Sequence, residues 1–281
     1  MRRVLIAGCG YVGQAAADLF LSAGWEVEGW TRTATSIGKN YPVVAVDLED
    51  REQVKAQPGD FDAVIHCAGT RGGDVDLYRR TYLDGARNLI DRFVRSTILF
   101  TSSTSVYAQR SGEVVTEESP AEPERATSQI LRETEKLVLH HGGIVARLAG
   151  IYGPGRSALL KKILSGEASI DPENDRFINQ VQRDDVAAAL CLLLDRQSTS
   201  GEIFNVADDR PVLVSDCYRW LAERLQKPLP EARSTSSRRR GDSNKRVSNA
   251  KLRGLGWEPS YPSFVEGMER SVFPSDLPSA S

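Results

Sequence analysis

The first half of the chain alternates short apolar runs with longer amphipathic segments. Apolar runs that predict buried strands lie at residues 4–7, 26–30, 43–46, 63–66, 97–101 and 144–148. Amphipathic segments that predict helices lie at residues 11–22, 78–93 and 128–141. Parallel strands need crossover connections, and helices in that role cover both faces of the sheet. The pattern therefore predicts an α/β protein with a doubly wound parallel sheet.

The second half of the chain follows a different pattern. Residues 185–195 form a helix that is apolar nearly all round, which predicts burial against the core. A strand is predicted at 203–206, a helix at 215–225, and a mobile basic loop at 232–246. We expect a single unit over 1–281, with a nucleotide-binding core at about 1–155 and a smaller substrate lobe at about 156–281.

Composition narrows the range of partners. The 281 residues include 36 Lys+Arg and 38 Asp+Glu, a net charge of −2 that gives no reason to expect nucleic acid as a partner. The longest strictly apolar run, 186–194, is far short of the roughly 20 residues needed to cross a bilayer, so no membrane contact is expected. The four cysteines are scattered without metal-ligand spacing, which predicts reduced thiols, no metal site and a cytoplasmic location.

The sequence GCGYVG occupies residues 8–13, between the first predicted strand and the first predicted helix. Gly8 permits a tight turn, Gly10 lets a pyrophosphate approach the main chain, and Gly13 allows close packing of helix and strand. The helix N-terminus adds free N–H groups and a partial positive charge. The motif predicts a Rossmann-type dinucleotide site; the alternative is a glycine turn in some other α/β protein.

The end of the second strand bears on the choice of dinucleotide. An NAD site carries Asp or Glu about 20 residues after the glycines to hold the ribose 2′-hydroxyl. Here Thr31 and Arg32 occupy that place. A hydroxyl and a guanidinium suit a 2′-phosphate, and no carboxylate repels it. We therefore predict NADP, with NAD as the alternative and a solvated loop charge as the other interpretation of Arg32.

Further motifs stand at the ends of the later strands. They are Asp47-Leu48, HCAG at 66–69, TSSTSVY at 101–107, RLAGIYGPG at 147–155, RDDVA at 183–187, NVADD at 205–209 and LGWEP at 255–259. With the glycine motif, they make the chain resemble the extended and atypical short-chain dehydrogenase/reductases. Within that superfamily the resemblance is to the NAD(P)-dependent epimerase/dehydratase-like proteins, and it covers nearly the whole chain.

The resemblance implies a role for individual residues. Asp47 would bind the adenine amino group, Leu48 would pack on the ring, and Ser103 would hydrogen-bond the reacting oxygen of the substrate. Ser103 also follows a central strand, where ligands of such sheets bind, although a Ser/Thr run can equally satisfy loop main chain. The remaining residues implied to contact the cofactor are Tyr11, Val12, Cys67, Ala68, Gly69, Ala149 and Ile151.

The chain departs from the family at the proton-transfer residues. The family uses a Tyr followed four residues later by a Lys, and these positions correspond to Thr127 and Leu131. Neither can replace the pair, because a Thr hydroxyl is not acidic enough and Leu carries no charge. The candidate substitutes are Tyr107, Tyr152 and the pair His140-His141, and none has a visible group that would perturb its pKa.

On the substrate side, the resemblance implies contacts from Tyr152 and Asn179. The basic loop, which contains Arg240, either clamps a diphosphate or is a solvated surface. We therefore expect an NAD(P)-binding oxidoreductase, or a nucleotide-sugar epimerase/dehydratase-like protein, with a small polar substrate that can be nucleotide-linked. The alternative is a non-catalytic NADP(H)-binding redox sensor or regulatory protein. Relatives often pair through two helices, so a homodimer is compatible with either function.

Overall fold

The structure is a computed structural model that describes residues 1–33, 38–70, 72–233 and 243–277. The principal strands are β1 (Arg3–Ala7), β2 (Glu26–Thr31), β3 (Val43–Ala45), β4 (Ala63–His66), β5 (Thr97–Ser103), β7 (Ile144–Leu148) and β11 (Ile203–Val206). Short strands are β6 (Glu113–Val115), β8 (Gly150–Tyr152), β9 (Phe177–Ile178), β10 (Gln180–Gln182), β12 (Val212–Leu213) and β13 (Lys245–Val247).

Helices connect these strands. The first six are α1 (Tyr11–Ser22), α2 (Arg51–Ala56), α3 (Val75–Tyr78), α4 (Gly85–Arg92), α5 (Ala126–His140) and α6 (Ala158–Leu164). The others are α7 (Arg183–Asp195), α8 (Val214–Arg224), α9 (Ala250–Gly254), α10 (Phe264–Gly267) and α11 (Phe273–Asp276). Asp50 and Ser157 cap α2 and α6 through side-chain oxygens, whereas no side chain caps α1 at Gly10.

The seven principal strands form one parallel sheet in the order β11-β7-β5-β4-β1-β2-β3. Along the chain, β2 and β3 are added on one side of β1. The later strands β4, β5, β7 and β11 are then added in turn on the other side. This confirms the predicted doubly wound fold. Ligands of such sheets bind in the crevice beyond the carboxyl ends of the strands where the order reverses, which here is between β1 and β4.

Apolar burial explains why the central runs form strands. The side chains of Val4, Leu5 and Ile6 in β1 are fully buried, and all four residues of β4 are buried as well. A strand covered on both faces has no polar face, so it is apolar without alternation. That is the pattern from which the sequence predicted these strands.

Two predicted segments differ in the structure. The helix expected over 78–93 is divided by a π-helical turn at Arg79–Asp84, which lies between α3 and α4. The basic loop expected over 232–246 contains a strand at its end, because Lys245–Val247 pairs with β6. A three-residue strand buries too few side chains to leave a periodic signal in the sequence. Residues 234–242 of that loop lie outside the described residues.

The chain divides into two compact units. The first comprises Met1–Val106, Pro120–Leu148 and Val186–Phe204, and the second Tyr107–Ser119, Ala149–Asp185 and Asn205–Ser281. The core of the second unit is a separate apolar cluster built around Tyr152, Leu221, Phe264 and Met268. Within the described ranges, no helix is both long enough and apolar enough to cross a bilayer.

Candidate functional site

The turn after β1 is shaped by Gly8. The N–H groups of Gly8 and Cys9 donate to the Trp30 carbonyl at 3.1 and 2.8 Å, which ties the turn to the end of β2. Gly8 has φ +103°, and a Cβ there would lie 2.2 Å from the main-chain nitrogen of Ala68. Glycine is therefore required twice, by the backbone conformation and by the close approach of the loop after β4.

The other two glycines of the motif have opposite surroundings. A Cβ on Gly13 would lie 2.6 Å from the Gly8 carbonyl oxygen, so this position packs helix against turn. A Cβ on Gly10 would meet nothing within 4 Å, so the space in front of Gly10 is open. Because α1 begins there without a side-chain cap, its first-turn N–H groups can bind an anion.

The loop after β4 supplies the second wall of this crevice. The Cys67 thiol donates to the Gly8 carbonyl at 3.2 Å, and burial raises the pKa of that thiol, which keeps it protonated. Beyond the partly buried Ala68 and the exposed Gly69, the Thr70 hydroxyl is buried without a hydrogen-bond partner in the described structure. An open glycine, an uncapped helix start and an orphan hydroxyl on the neighbouring loop fit a bound dinucleotide.

The residues that were predicted to contact the adenosine lie at or just after the ends of β2 and β3. The Thr31 hydroxyl donates to the Thr33 carbonyl at 2.8 Å, and Arg32 is exposed, with no ion-pair partner in the part of the chain that is described. Oδ1 of Asp47 accepts the Glu49 N–H at 3.0 Å. Leu48 is buried and could contribute only part of its side chain to a packing surface.

Ser103 lies at the carboxyl end of β5, on the same edge of the sheet as the glycine turn. Its Oγ accepts the Ser105 N–H at 3.1 Å, and no acceptor for its own proton is found in the described residues. Nearby, the Ser128 hydroxyl donates to Ser105 Oγ at 3.2 Å, which connects this turn to α5. The Ser103 hydroxyl can therefore donate a hydrogen bond to a ligand oxygen.

A buried ionic cluster lies beneath this turn. Glu135 on α5 is completely buried, and its carboxylate accepts hydrogen bonds from Arg147 at 2.8 and 3.0 Å and from Arg132 at 2.5 Å. The same carboxylate accepts the Ser102 hydroxyl at 2.6 Å. One turn before Glu135 on the helix, Leu131 is buried as an apolar residue. The cluster fixes the end of β5 on which Ser103 stands.

The second unit holds the other residues predicted to surround the ligands. The phenol of Tyr107 is buried and donates to Asn205 Oδ1 at 2.9 Å, so its proton is engaged in this structure. The Ala149 N–H donates to the Val206 carbonyl at 2.9 Å, and Ile151 lies in the pairing of β8 with β10. The histidines at 140 and 141, which were the other candidates for proton transfer, are exposed at the end of α5 in the first unit.

Two of the three residues predicted to touch substrate serve internal contacts. Tyr152 is buried, its hydroxyl donates to the Ser263 carbonyl at 3.3 Å, and its ring packs near Phe264. Asn179 accepts the Val247 N–H at 2.7 Å and donates to the Lys245 carbonyl at 3.0 Å, so its amide holds β13. The third, Arg240, lies outside the described residues.

The structure brings in residues that the sequence analysis did not assign to the site. Glu135, Arg147 and Thr70, all in the first unit, belong to this group. Arg147 lies within the otherwise apolar strand Ile144–Leu148, and a buried cation needs a partner. The sequence could therefore have indicated a buried ionic contact at this strand. No group of three potential metal ligands is found within the described residues.

The fold and the crevice define a dinucleotide-binding protein of the Rossmann class. Residues 4–207 match the model of the NAD dependent epimerase/dehydratase family, and the chain belongs to that family. It is 28% identical to the protein YeeZ of Escherichia coli K12 over 93% of this chain and 97% of that protein.

Solved structures show the same fold. A Methylobacillus flagellatus protein named for this family superposes with a TM-score of 0.79 at 27% identity, covering 96% of this chain and 97% of that one. Thermus thermophilus UDP-glucose 4-epimerase in complex with NAD superposes with a TM-score of 0.80 at 23% identity, covering 95% and 96%.

Proposed function

We propose that the protein is an NADP-dependent oxidoreductase or epimerase/dehydratase-like enzyme that acts on a small polar substrate, with nucleotide-linked compounds included. The observation that carries this proposal is the edge of the first unit's sheet. There an open glycine turn with an uncapped helix start shares the carboxyl edge with Ser103, whose hydroxyl proton has no acceptor among the described residues. A dinucleotide site and a hydrogen-bond donor for a substrate oxygen are thereby combined in one unit.

Different residues of the first unit would bind different parts of the dinucleotide and the substrate. The Gly8–Gly13 turn would hold the pyrophosphate through main-chain N–H groups, and Asp47 would accept the adenine amino group. When bound, the nicotinamide supplies hydride transfer to or from a substrate carbon. Ser103 would donate to the oxygen on that carbon and stabilise the negative charge that develops there. Proton transfer would come from Tyr107 once its phenol leaves Asn205, from water or from the substrate itself.

The preference for NADP is tested at Arg32. Arg32→Ala should weaken NADPH binding by about 10- to 100-fold, because charge-assisted hydrogen bonds to a phosphate contribute about 1.5–3 kcal/mol. NADH lacks the 2′-phosphate and is the internal control, with its affinity nearly unchanged. Isothermal titration calorimetry with both nucleotides measures the difference. Equal losses for the two nucleotides would reject the assignment of Arg32 to a 2′-phosphate.

Catalysis is tested at Ser103. The purified protein is incubated with NADPH or NADP and a panel of carbonyl and nucleotide-sugar compounds, while the absorbance of the reduced nicotinamide is followed. Ser103→Ala should lower turnover by about 100-fold, the effect of removing one donor from a developing oxyanion. Ser105→Ala is the matched control, since the Ser105 hydroxyl accepts from Ser128. If Ser103→Ala and Ser105→Ala had equal activity, Ser103 would have no role in the reaction.

A second function is favoured by the residues on α5. With Thr127 and Leu131 in place of the usual tyrosine and lysine, the protein would bind NADP(H) and report its redox state to a partner without turnover. The same experiment separates the two functions. Tight binding without turnover on any compound, together with a change in oligomeric state between NADP and NADPH, would favour the sensor.

Two further proposals concern the cellular location and the oligomeric state of the protein. All four cysteines are free thiols, which supports our assignment of the protein to a reducing compartment such as the cytoplasm. We propose a homodimer that pairs through α4 and α5, because relatives often associate through the corresponding helices. Neither proposal affects the choice between enzyme and sensor.

A further inference from the structure

Lys245 is a buried lysine that has no acidic partner among the described residues. Its side chain is 4% exposed, and its Nζ donates to the Tyr107 carbonyl at 3.1 Å and to Ser243 Oγ at 2.7 Å. No carboxylate lies within ion-pair distance of Nζ in the part of the chain that the structure describes. Lysine is almost never fully buried unless it is paired, so this position calls for an explanation.

The electrostatic surroundings oppose the charge on Lys245. The pKa of Lys245 is lowered to about 8, mainly by burial and in addition by the Arg176 charge, while Glu113 acts in the opposite direction. A methionine would fill the same slender space without this penalty, since buried ionic groups are often replaced by apolar ones at no loss of stability. Burying an amine costs free energy, so a lysine at this position calls for a reason beyond filling space.

The main contact of Lys245 is the main chain of Tyr107, a residue predicted from the sequence as a candidate for proton transfer. Tyr107 has its carbonyl bound by Lys245 and its phenol bound to Asn205 Oδ1 at 2.9 Å. The strand that carries Lys245 is itself fixed, because β13 pairs with β6 and is bound on both sides of residue 246 by the Asn179 amide. Every one of these groups belongs to the second unit.

We propose that Lys245 is a positioning residue for Tyr107: its side chain fixes the main chain of Tyr107 and so the position from which the phenol acts. Its effect on turnover rests on the proposed function, in which Tyr107 is a candidate proton donor. Its effect on the order of the Tyr107 segment is independent of any reaction. The two effects are therefore measured separately.

Arg246 offers a matched control on the same strand. Its Nε donates to the Gly112 carbonyl at 2.8 Å, so it makes the same kind of bond to a different segment. The variants are Lys245→Met, which keeps the length and removes the donor, Lys245→Arg, which keeps a donor, and Arg246→Met. Hydrogen exchange of the peptide that contains Tyr107 reports order, and kcat and KM report turnover.

In Lys245→Met, exchange around Tyr107 should rise and kcat should fall, each by about tenfold, the effect of losing one hydrogen bond to a charged group. KM should stay within about threefold, because substrate binding is not the step affected. Lys245→Arg should recover most of both losses, and Arg246→Met should leave exchange around Tyr107 unchanged. Exchange in Lys245→Met equal to that in Arg246→Met would overturn the proposal, as would a loss confined to KM. If the wild-type protein has no turnover, the proposed function fails, and the exchange result alone decides the role of Lys245.

Discussion

Gly10→Asp is expected to abolish dinucleotide binding without loss of stability. A Cβ on Gly10 meets no atom within 4 Å, and the φ of Gly10 is negative, −93°, so there is room for a side chain at this position. Asp at an N-cap position stabilises a helix by accepting first-turn N–H groups. Those are the N–H groups that would bind the pyrophosphate, and the aspartate also adds a repelling negative charge.

Titration calorimetry with NADPH and NADH should show at least about 100-fold weaker binding for Gly10→Asp, which corresponds to about 2.7 kcal/mol. The melting temperature should be equal to or slightly above that of the wild type. Gly254→Asp is the control, since a Cβ at this exposed glycine also meets nothing within 4 Å. Unchanged affinity in Gly10→Asp would show that the pyrophosphate does not lie on this turn, and the dinucleotide site would have to be sought elsewhere.

Gly8 shows what the glycine motif alone could predict and what it could not. The sequence predicted a glycine turn after the first strand, since the spacing and the flanking apolar pattern are local properties. That Gly8 touches the loop of Ala68 depends on β1 and β4 being neighbours, and the sheet order supplies this information. The central strands were predictable for a similar reason, because continuous apolar runs report burial on both faces.

The contacts that the sequence could not predict are those made by polar groups between distant segments. Lys245 lies in a stretch whose composition indicates a solvated basic loop, yet its amine is buried against Tyr107, 138 residues earlier in the chain. Likewise, Tyr152 was predicted to contact substrate, whereas the structure packs it in an apolar cluster. Hydrophobic periodicity indicates which residues are buried but not which polar groups meet.

Replacement of Glu135 is the second substitution with a large expected effect, because its carboxylate accepts hydrogen bonds from both Arg147 Nε and Arg132 Nη1. Glu135→Gln leaves the Arg147 guanidinium buried with a neutral partner. Breaking a buried pair by removing one partner destabilises proteins by about 3–5 kcal/mol. The amide also offers one oxygen where the carboxylate offered two, so the Ser102 hydroxyl or an arginine loses its acceptor.

Chemical denaturation should show this loss as a lower free energy of unfolding for Glu135→Gln. Glu133→Gln is the matched control, since Glu133 lies on the same helix and pairs with Arg79 at 3.3 Å, with both side chains about half exposed. Surface pairs of this kind contribute about 0–1 kcal/mol. Equal effects of the two substitutions would mean that the Glu135 cluster is not a buried ionic network. A large loss for Glu135→Gln alone would explain why the turn that carries Ser103 needs a charged support: the carboxylate on α5 holds β5, through Ser102, and β7, through Arg147, in one fixed arrangement.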